Sequence, residues 1–186
     1  MTPVRRVDGK SVVRSGNVKP SPFVMEHVDV ISDMSRMLYR KTRALDLGCG
    51  NGRNSECLKS LGVEVISLDH APDYGIKFDL ENHVLPVFNH SVDVVLMNYV
   101  LMFLSEQARV RLVDKVCQAL APTGIVLVEF FNAKDSYAPS VKMAHEMCRQ
   151  TAEWFGRHGM VVQKNSKMRF LACHDRRLVG AFDNGC

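Results

Sequence analysis

Residues 43–52 read Arg-Ala-Leu-Asp-Leu-Gly-Cys-Gly-Asn-Gly, a short apolar run that ends in three alternating glycines. The run predicts a strand buried on both faces. Glycines at its end let the backbone take positive φ and approach a ligand closely. Arg53 to Leu61 then reads as a helix closed by Gly62, and its first turn offers free N–H groups. A strand, a glycine loop and a helix in succession open a doubly wound α/β sheet, in which ligands sit beyond the carboxyl ends of the strands.

The rest of the chain continues that pattern. Ser21-Pro22 has the form of a helix start, and Phe23, Val24, Val28, Ile31, Met34 and Leu38 recur at helical spacing up to Tyr39. Val63 to Leu68 reads as a second strand closed by Asp69, and Val92 to Met97 as another. Ser105 can cap a helix to Leu120. Pro122-Thr123-Gly124 reads as a turn, Gly124 to Phe131 as a strand, and Ser140 to His158 as a helix stopped by Gly159. One or two short strands follow, around Val161-Val162 and Arg169 to Cys173. Alternating strands and helices predict a parallel sheet covered on both faces. Only six residues separate Asp69 from Ile76, whereas a parallel crossover needs a dozen or more. The helix between the second and third strands is therefore expected to be shortened or absent.

The glycine loop discriminates between cofactors. The dinucleotide fingerprint G-x-G-x-x-G places its third glycine at the position of Arg53, but here that glycine comes one residue early, at Gly52. Asp46 adds a carboxylate inside the first strand, which suits a cationic amino-acid cofactor better than a pyrophosphate. Asp69 is placed to accept both ribose hydroxyls of either cofactor. S-adenosylmethionine fits these features best; a nicotinamide cofactor and a non-catalytic relic of the loop are the alternatives.

The stretch from Leu45 to Asp69 resembles the first two motifs of class I S-adenosylmethionine-dependent methyltransferases. Asp79-Leu80 resembles the next motif, an acidic pair beside the adenine. Leu85-Pro86-Val87-Phe88-Asn89-His90-Ser91-Val92-Asp93-Val94-Val95 is similar to the approach to strand four in small-molecule members. More narrowly, residues 45–55 and Val100-Leu101-Met102-Phe103-Leu104 resemble the tellurite-resistance (TehB-like) methyltransferases. So does Met168-Arg169-Phe170, where a basic residue faces the acceptor side. The resemblance implies a Rossmann-like α/β sheet with helices on both faces. It implies S-adenosyl-L-methionine as cofactor and S-adenosyl-L-homocysteine as product. The implied cofactor-binding residues are Asp46, Gly48, Cys49, Gly50, Asn51, Gly52, Arg53, Asp69, His70, Asp79, Leu80 and Asn98. On the acceptor side Asn98, Tyr99 and Arg169 are the candidate catalytic residues. Glu129, Phe130, Phe131 and Asn132 close strand five, and only one of the adjacent phenylalanines can face the pocket.

Charge placement leaves the acceptor open. The net charge of +4 is the charge of residues 1–20, where Arg5, Arg6, Lys10, Arg14 and Lys19 oppose Asp8 alone. This basic arm can touch nucleic acid or form a solvated tail, ahead of a single domain over residues 21–186. Amino-methylating nucleic-acid enzymes carry prolines after strand four, and cytosine-5 enzymes carry a Pro-Cys nucleophile. Neither is present here, so a small-molecule acceptor leads. His174 with Arg169, Arg176 and Arg177 can bind an anionic acceptor or form a solvated cluster. No apolar run reaches the roughly 20 residues of a membrane helix. The two N-terminal arginines have no apolar stretch behind them, so a secretory signal is not expected. The six cysteines form no C-x-x-C pair, which points to structural thiols in a reducing cytoplasm without a metal.

Overall fold

A computed structural model describes residues 4–7, 10–13, 19–71, 73–131 and 141–175. Strands β1 (Val4–Val7) and β2 (Lys10–Val13) pair antiparallel as a separate two-stranded sheet within the basic arm. Helices α1 (Pro22–Met25) and α2 (Val28–Leu38) follow. Then come β3 (Arg43–Leu47), α3 (Arg53–Ser60), β4 (Glu64–Asp69), β5 (Ile76–Lys77) and β6 (Val92–Asn98). A single 3-10 turn, Leu101–Phe103, leads to α4 (Glu106–Ala119) and β7 (Leu120–Glu129). The chain continues through α5 (Val141–Arg157), β8 (Val161–Ser166) and β9 (Arg169–Cys173).

The main sheet has seven strands in the order β5-β4-β3-β6-β7-β9-β8. The first five run parallel, and β9 is antiparallel to both β7 and β8. The all-parallel expectation is thus corrected at one edge. There β8 and β9 are joined by a turn at Lys167-Met168, too short to carry a crossover.

Strand periodicity divides the core between the two faces. Leu45, Leu47, Val95, Met97, Val126, Val128 and Phe170 pack with α4 and α5. Their neighbours Ala44, Val94, Leu96, Ile125, Leu127 and Leu171 pack with Phe23, Ile31, Met34 and Leu58 of the first three helices. Both faces are covered, and this is why the central strands are apolar over most of their length, with Asp46, Asp93, Asn98 and Glu129 as buried polar exceptions.

Three local expectations change. The helix foreseen from Ser21 to Tyr39 is broken at Glu26-His27. The His27 imidazole is buried, hydrogen-bonds to the Phe23 carbonyl at 2.7 Å, and has its pKa lowered, chiefly by burial. Helical spacing of apolar residues survives such a break, so the pattern did not reveal it. The Pro122-Thr123-Gly124 turn lies inside β7 as a bulge. Val92 pairs with Leu120 and Val94 with Ile125, so four residues of β7 stand opposite Asp93. Pro122 cannot donate to the ladder. The Asp93 side chain instead accepts two bonds from Arg40, both 2.8 Å, and one from the Arg43 amide at 2.9 Å, which ties the end of α2 to the sheet. Between Asp69 and Ile76 the described residues form bends and no helix, as the short spacing requires.

Candidate functional site

The carboxyl ends of β3, β4, β6 and β7 converge on one edge of the sheet, and the candidate site is built there. Gly48, Gly50 and Gly52 all take positive φ, at 78°, 55° and 79°. The amides of Gly48 and Cys49 both donate to the Leu68 carbonyl, at 2.7 and 3.1 Å, which binds the loop to the end of β4. A Cβ at Gly48 would lie 2.5 Å from the Val100 side chain, and one at Gly52 would lie 2.3 Å from the Tyr74 ring. A Cβ at Gly50 would meet nothing within 4 Å. The loop is therefore clamped at both ends and open in the middle.

Two carboxylates support the loop from different depths. The half-buried Asp69 side chain accepts from the Gly50 amide at 2.9 Å and from the Ala71 amide at 3.0 Å. A carboxylate has about four acceptor positions, so Asp69 keeps capacity for further hydroxyl donors. Asp46 is 1% exposed. Ser55 Oγ donates to it at 2.6 Å, and the Ser67 hydroxyl stands 2.7 Å from Ser55. Desolvation raises the Asp46 pKa to about 6, against the Ser55 bond that lowers it, and the nearby Asp69 charge raises it further. Two carboxylates under one loop form an environment that favours a cation.

The remaining cofactor-side candidates fall into three settings. Cys49 is buried and its Sγ donates to the Tyr74 carbonyl at 3.2 Å. Burial and the Asp46 and Asp69 charges push its thiol upward, so it is a neutral donor. Asn51 is half-buried in the loop. Arg53, the first residue of α3, donates to the Lys19 carbonyl at 3.3 Å and lies over the Tyr99 ring at 5.7 Å, turned toward the acceptor side. His70 and Asp79 line one cleft of about 450 Å³ together with Lys77, Phe78 and His83. Asp79 shapes this cleft by accepting from the Glu81 amide and the Asn82 side chain, at 3.0 and 2.9 Å. Leu80 is buried in the core beneath.

At the ends of β6 and β7, where the acceptor-side candidates lie, there is a buried polar network. Asn98 and Glu129 end adjacent strands in register, with exposures of 6% and 8%. Glu129 Oε2 accepts from Ser21 Oγ at 2.5 Å and from Asn98 Nδ2 at 2.9 Å. The Ser21 hydroxyl also accepts from the Phe23 amide at 3.1 Å, capping α1. The Ser21 amide donates to Asn54 Oδ1 at 2.9 Å. Tyr99 takes φ +59° and stacks on Phe131, centroids 5.0 Å apart. Its phenol is pushed up, first by burial and then by the Glu129 charge, so it remains protonated. Phe131 is the phenylalanine on this side, with Phe103 edge-on at 6.0 Å, while Phe130 is buried in the core.

Arg169 does not join Asn98 and Tyr99 as a free cation. Its guanidinium pairs with Glu26 at 3.0 Å and lies 5.0 Å from the Phe23 ring centroid. Asn132, Arg176 and Arg177 lie outside the described residues, as do the side chains of residues 1–18. Three contributors escaped the sequence reading. Tyr74 covers Gly52 and hydrogen-bonds with Glu56 and Lys59; a tyrosine in a crossover too short for a helix was the available signal. Ser21 was legible as a helix cap but not as a partner of Glu129. Ser55 was legible as the last residue of the 45–55 stretch but not as a partner of Asp46.

Among the described residues no group of histidine, cysteine or acidic side chains is arranged to hold a metal, and no helix is long and apolar enough to cross a membrane. Residues 45–128 match the family model described as a methyltransferase domain. Over that stretch the chain is similar to methyltransferase domains. Several solved structures share its fold. A TehB-like S-adenosylmethionine-dependent methyltransferase from Corynebacterium glutamicum is 19% identical, with a TM-score of 0.58 over 84% of this chain and 88% of that one. DesVI of Streptomyces venezuelae is 13% identical, TM-score 0.56, over 82% and 92%. An S-adenosylmethionine-dependent methyltransferase from Aquifex aeolicus is 15% identical, TM-score 0.53, over 82% and 92%. No curated protein matches the sequence.

Proposed function

We propose that this domain transfers a methyl group to a small-molecule acceptor, with the cofactor on the 48–52 loop and the acceptor at the ends of β6 and β7. One observation carries the reading: the loop is clamped at Gly48 and Gly52 and open at Gly50, over two carboxylates. When bound, S-adenosylmethionine supplies an electrophilic methyl group on a sulfonium centre. The open loop and the acid pair suit a cationic amino acid, and the spare acceptor positions of Asp69 suit a ribose diol. His70 and Asp79 are the candidates for the adenine side. Asn98 stands where the cofactor and acceptor sides meet.

The protein's task is then orientation. Holding two reactants in line can lower a barrier by up to about 7–11 kcal/mol. Tyr99 and Phe131 provide aromatic faces, which attract a cation within about 6 Å. Ser21 and Glu129 hold the end of β7 against the N-terminal segment, which closes the site on that side.

Calorimetric titration of the full chain tests the reading. S-adenosylhomocysteine should bind and nicotinamide adenine dinucleotide should not. Asp69→Ala should weaken S-adenosylhomocysteine at least about tenfold, the scale of a lost hydrogen bond to a charged group. Binding of the dinucleotide in its place sinks the proposal.

A second reading, a nucleic-acid acceptor recruited by residues 1–20, is favoured by the five basic residues gathered there. Salt-dependent RNA or DNA binding that disappears with residues 1–20 would support it; unaltered binding would remove it.

A further inference from the structure

Glu129 and Asn98 leave a hydrogen-bonding imbalance at the acceptor side. An ionised carboxylate only accepts, so the Asn98 amide must turn its nitrogen toward Glu129. Its Oδ1 then faces away. It is buried and has no hydrogen-bond partner among the described residues. A buried polar atom without a partner costs roughly as much as a lost hydrogen bond, and native structures retain few of them without a reason. The neighbouring carboxylate is also a pure acceptor. The Asn98 oxygen is thus a buried acceptor without a donor among the described residues, and a group reaching it would need to donate.

The nearby cations do not reverse this. Arg169 is engaged by Glu26 at 3.0 Å. Arg53 lies on the Tyr99 ring and donates to the Lys19 carbonyl. An oxyanion at Asn98 would face the Glu129 carboxylate at close range with neither arginine free of other partners. The Tyr99 phenol is engaged with Glu129, and the Tyr99, Phe131 and Phe103 rings add an apolar wall suited to the body of an organic molecule.

We propose that Glu129 and Asn98 are specificity-determining residues that select a protic acceptor, an amine or a hydroxyl on an organic body, and reject oxyanions. This rests on the methyl-transfer reading above and names the acceptor class for that same site. Ser21 is a positioning residue, since it fixes the Glu129 carboxylate from the N-terminal segment. A purely structural anchor would need Ser21 and Glu129 but would give no reason for the unpartnered Asn98 oxygen.

The test uses the full chain saturated with S-adenosylhomocysteine and three probes that share one ring: benzylamine, benzyl alcohol and benzoate. Saturation-transfer NMR reads their binding, and calorimetry on the same sample reads the cofactor product. Benzylamine and benzyl alcohol should bind and benzoate should be at least about tenfold weaker, the scale of one charged hydrogen bond. Glu129→Gln keeps the size of the side chain and should abolish that preference while leaving S-adenosylhomocysteine affinity unchanged. Benzoate binding as well as benzylamine overturns the proposal, and so does the absence of binding by all three probes. A tenfold loss of S-adenosylhomocysteine affinity in Glu129→Gln also overturns it, because the carboxylate would then serve the cofactor. Failure of the wild type to bind S-adenosylhomocysteine sinks the methyl-transfer reading itself. Because the wild-type comparison needs no variant, the test survives if Glu129→Gln does not fold.

Discussion

The two halves of the candidate site are built in different ways. The cofactor half is mostly backbone: three positive-φ glycines, amides bound to the Leu68 carbonyl, and the Asp69 carboxylate anchored by the Gly50 amide. The acceptor half is mostly side chain. Ser21, Asn54, Asn98 and Glu129 come from four separate stretches, with Ser21 and Glu129 108 positions apart in the chain. Backbone geometry is written in local residue types, because only glycine takes those angles without strain. A network of polar side chains is written nowhere locally, because each member is an ordinary Ser, Asn or Glu until the fold joins them.

If that contrast is right, substitutions in the two halves should separate stability from binding differently. The largest effect is expected at Gly48. Ala there combines a left-handed penalty with a 2.5 Å contact to Val100, so Gly48→Ala should cost roughly 2–5 kcal/mol in urea unfolding. Gly50→Ala has the same backbone penalty but open space around the new methyl group. It should cost about 1–2 kcal/mol and instead weaken S-adenosylhomocysteine. Equal destabilisation by the two would break the picture of a loop clamped at its ends and open in the middle.

Asp46 supplies the next effect. Its folded pKa, about 6, lies above the ordinary 3.8. Its contribution to stability is complete below about pH 4 and is lost as the pH rises through about 6, a loss of about 3 kcal/mol by pH 7. Unfolding of Asp46→Asn measured from pH 4 to 7 should lack that decline. The variant should also bind the cationic cofactor more weakly, because the buried charge acts on it at a distance. An unchanged pH slope would refute the assignment of this carboxylate.

The smallest effect falls on the acceptor half. Ser21→Ala removes an N-cap and one donor to Glu129 and should cost about 1–2 kcal/mol. S-adenosylhomocysteine affinity should hold while amine-probe binding falls. Loss of cofactor affinity in this variant would show that the two halves are one unit.

Legibility followed the same division. The apolar run at 43–47, the glycine spacing and the six-residue gap after Asp69 were enough for the sheet, the loop and the missing helix, since each depends on neighbours in the chain. The break at Glu26-His27 escaped because the apolar period runs through it. The bulge at Pro122-Gly124 was read as a turn because its partner Asp93 is distant in sequence. Arg169 was read as an acceptor-side cation. Its charge is matched by Glu26, which only the packing of α1 against the end of β9 reveals.

The sequence by itself therefore determined the α/β sheet, the glycine loop and the carboxylates at Asp46 and Asp69 beside it, because steric freedom and apolar period are properties of short segments. Tertiary structure decided that Glu129 is buried against Ser21 and Asn98, that Tyr74 covers Gly52, and that an Asn98 oxygen is left without a partner. Those facts depend on which side chains leave water together, and burial is a property of the whole fold.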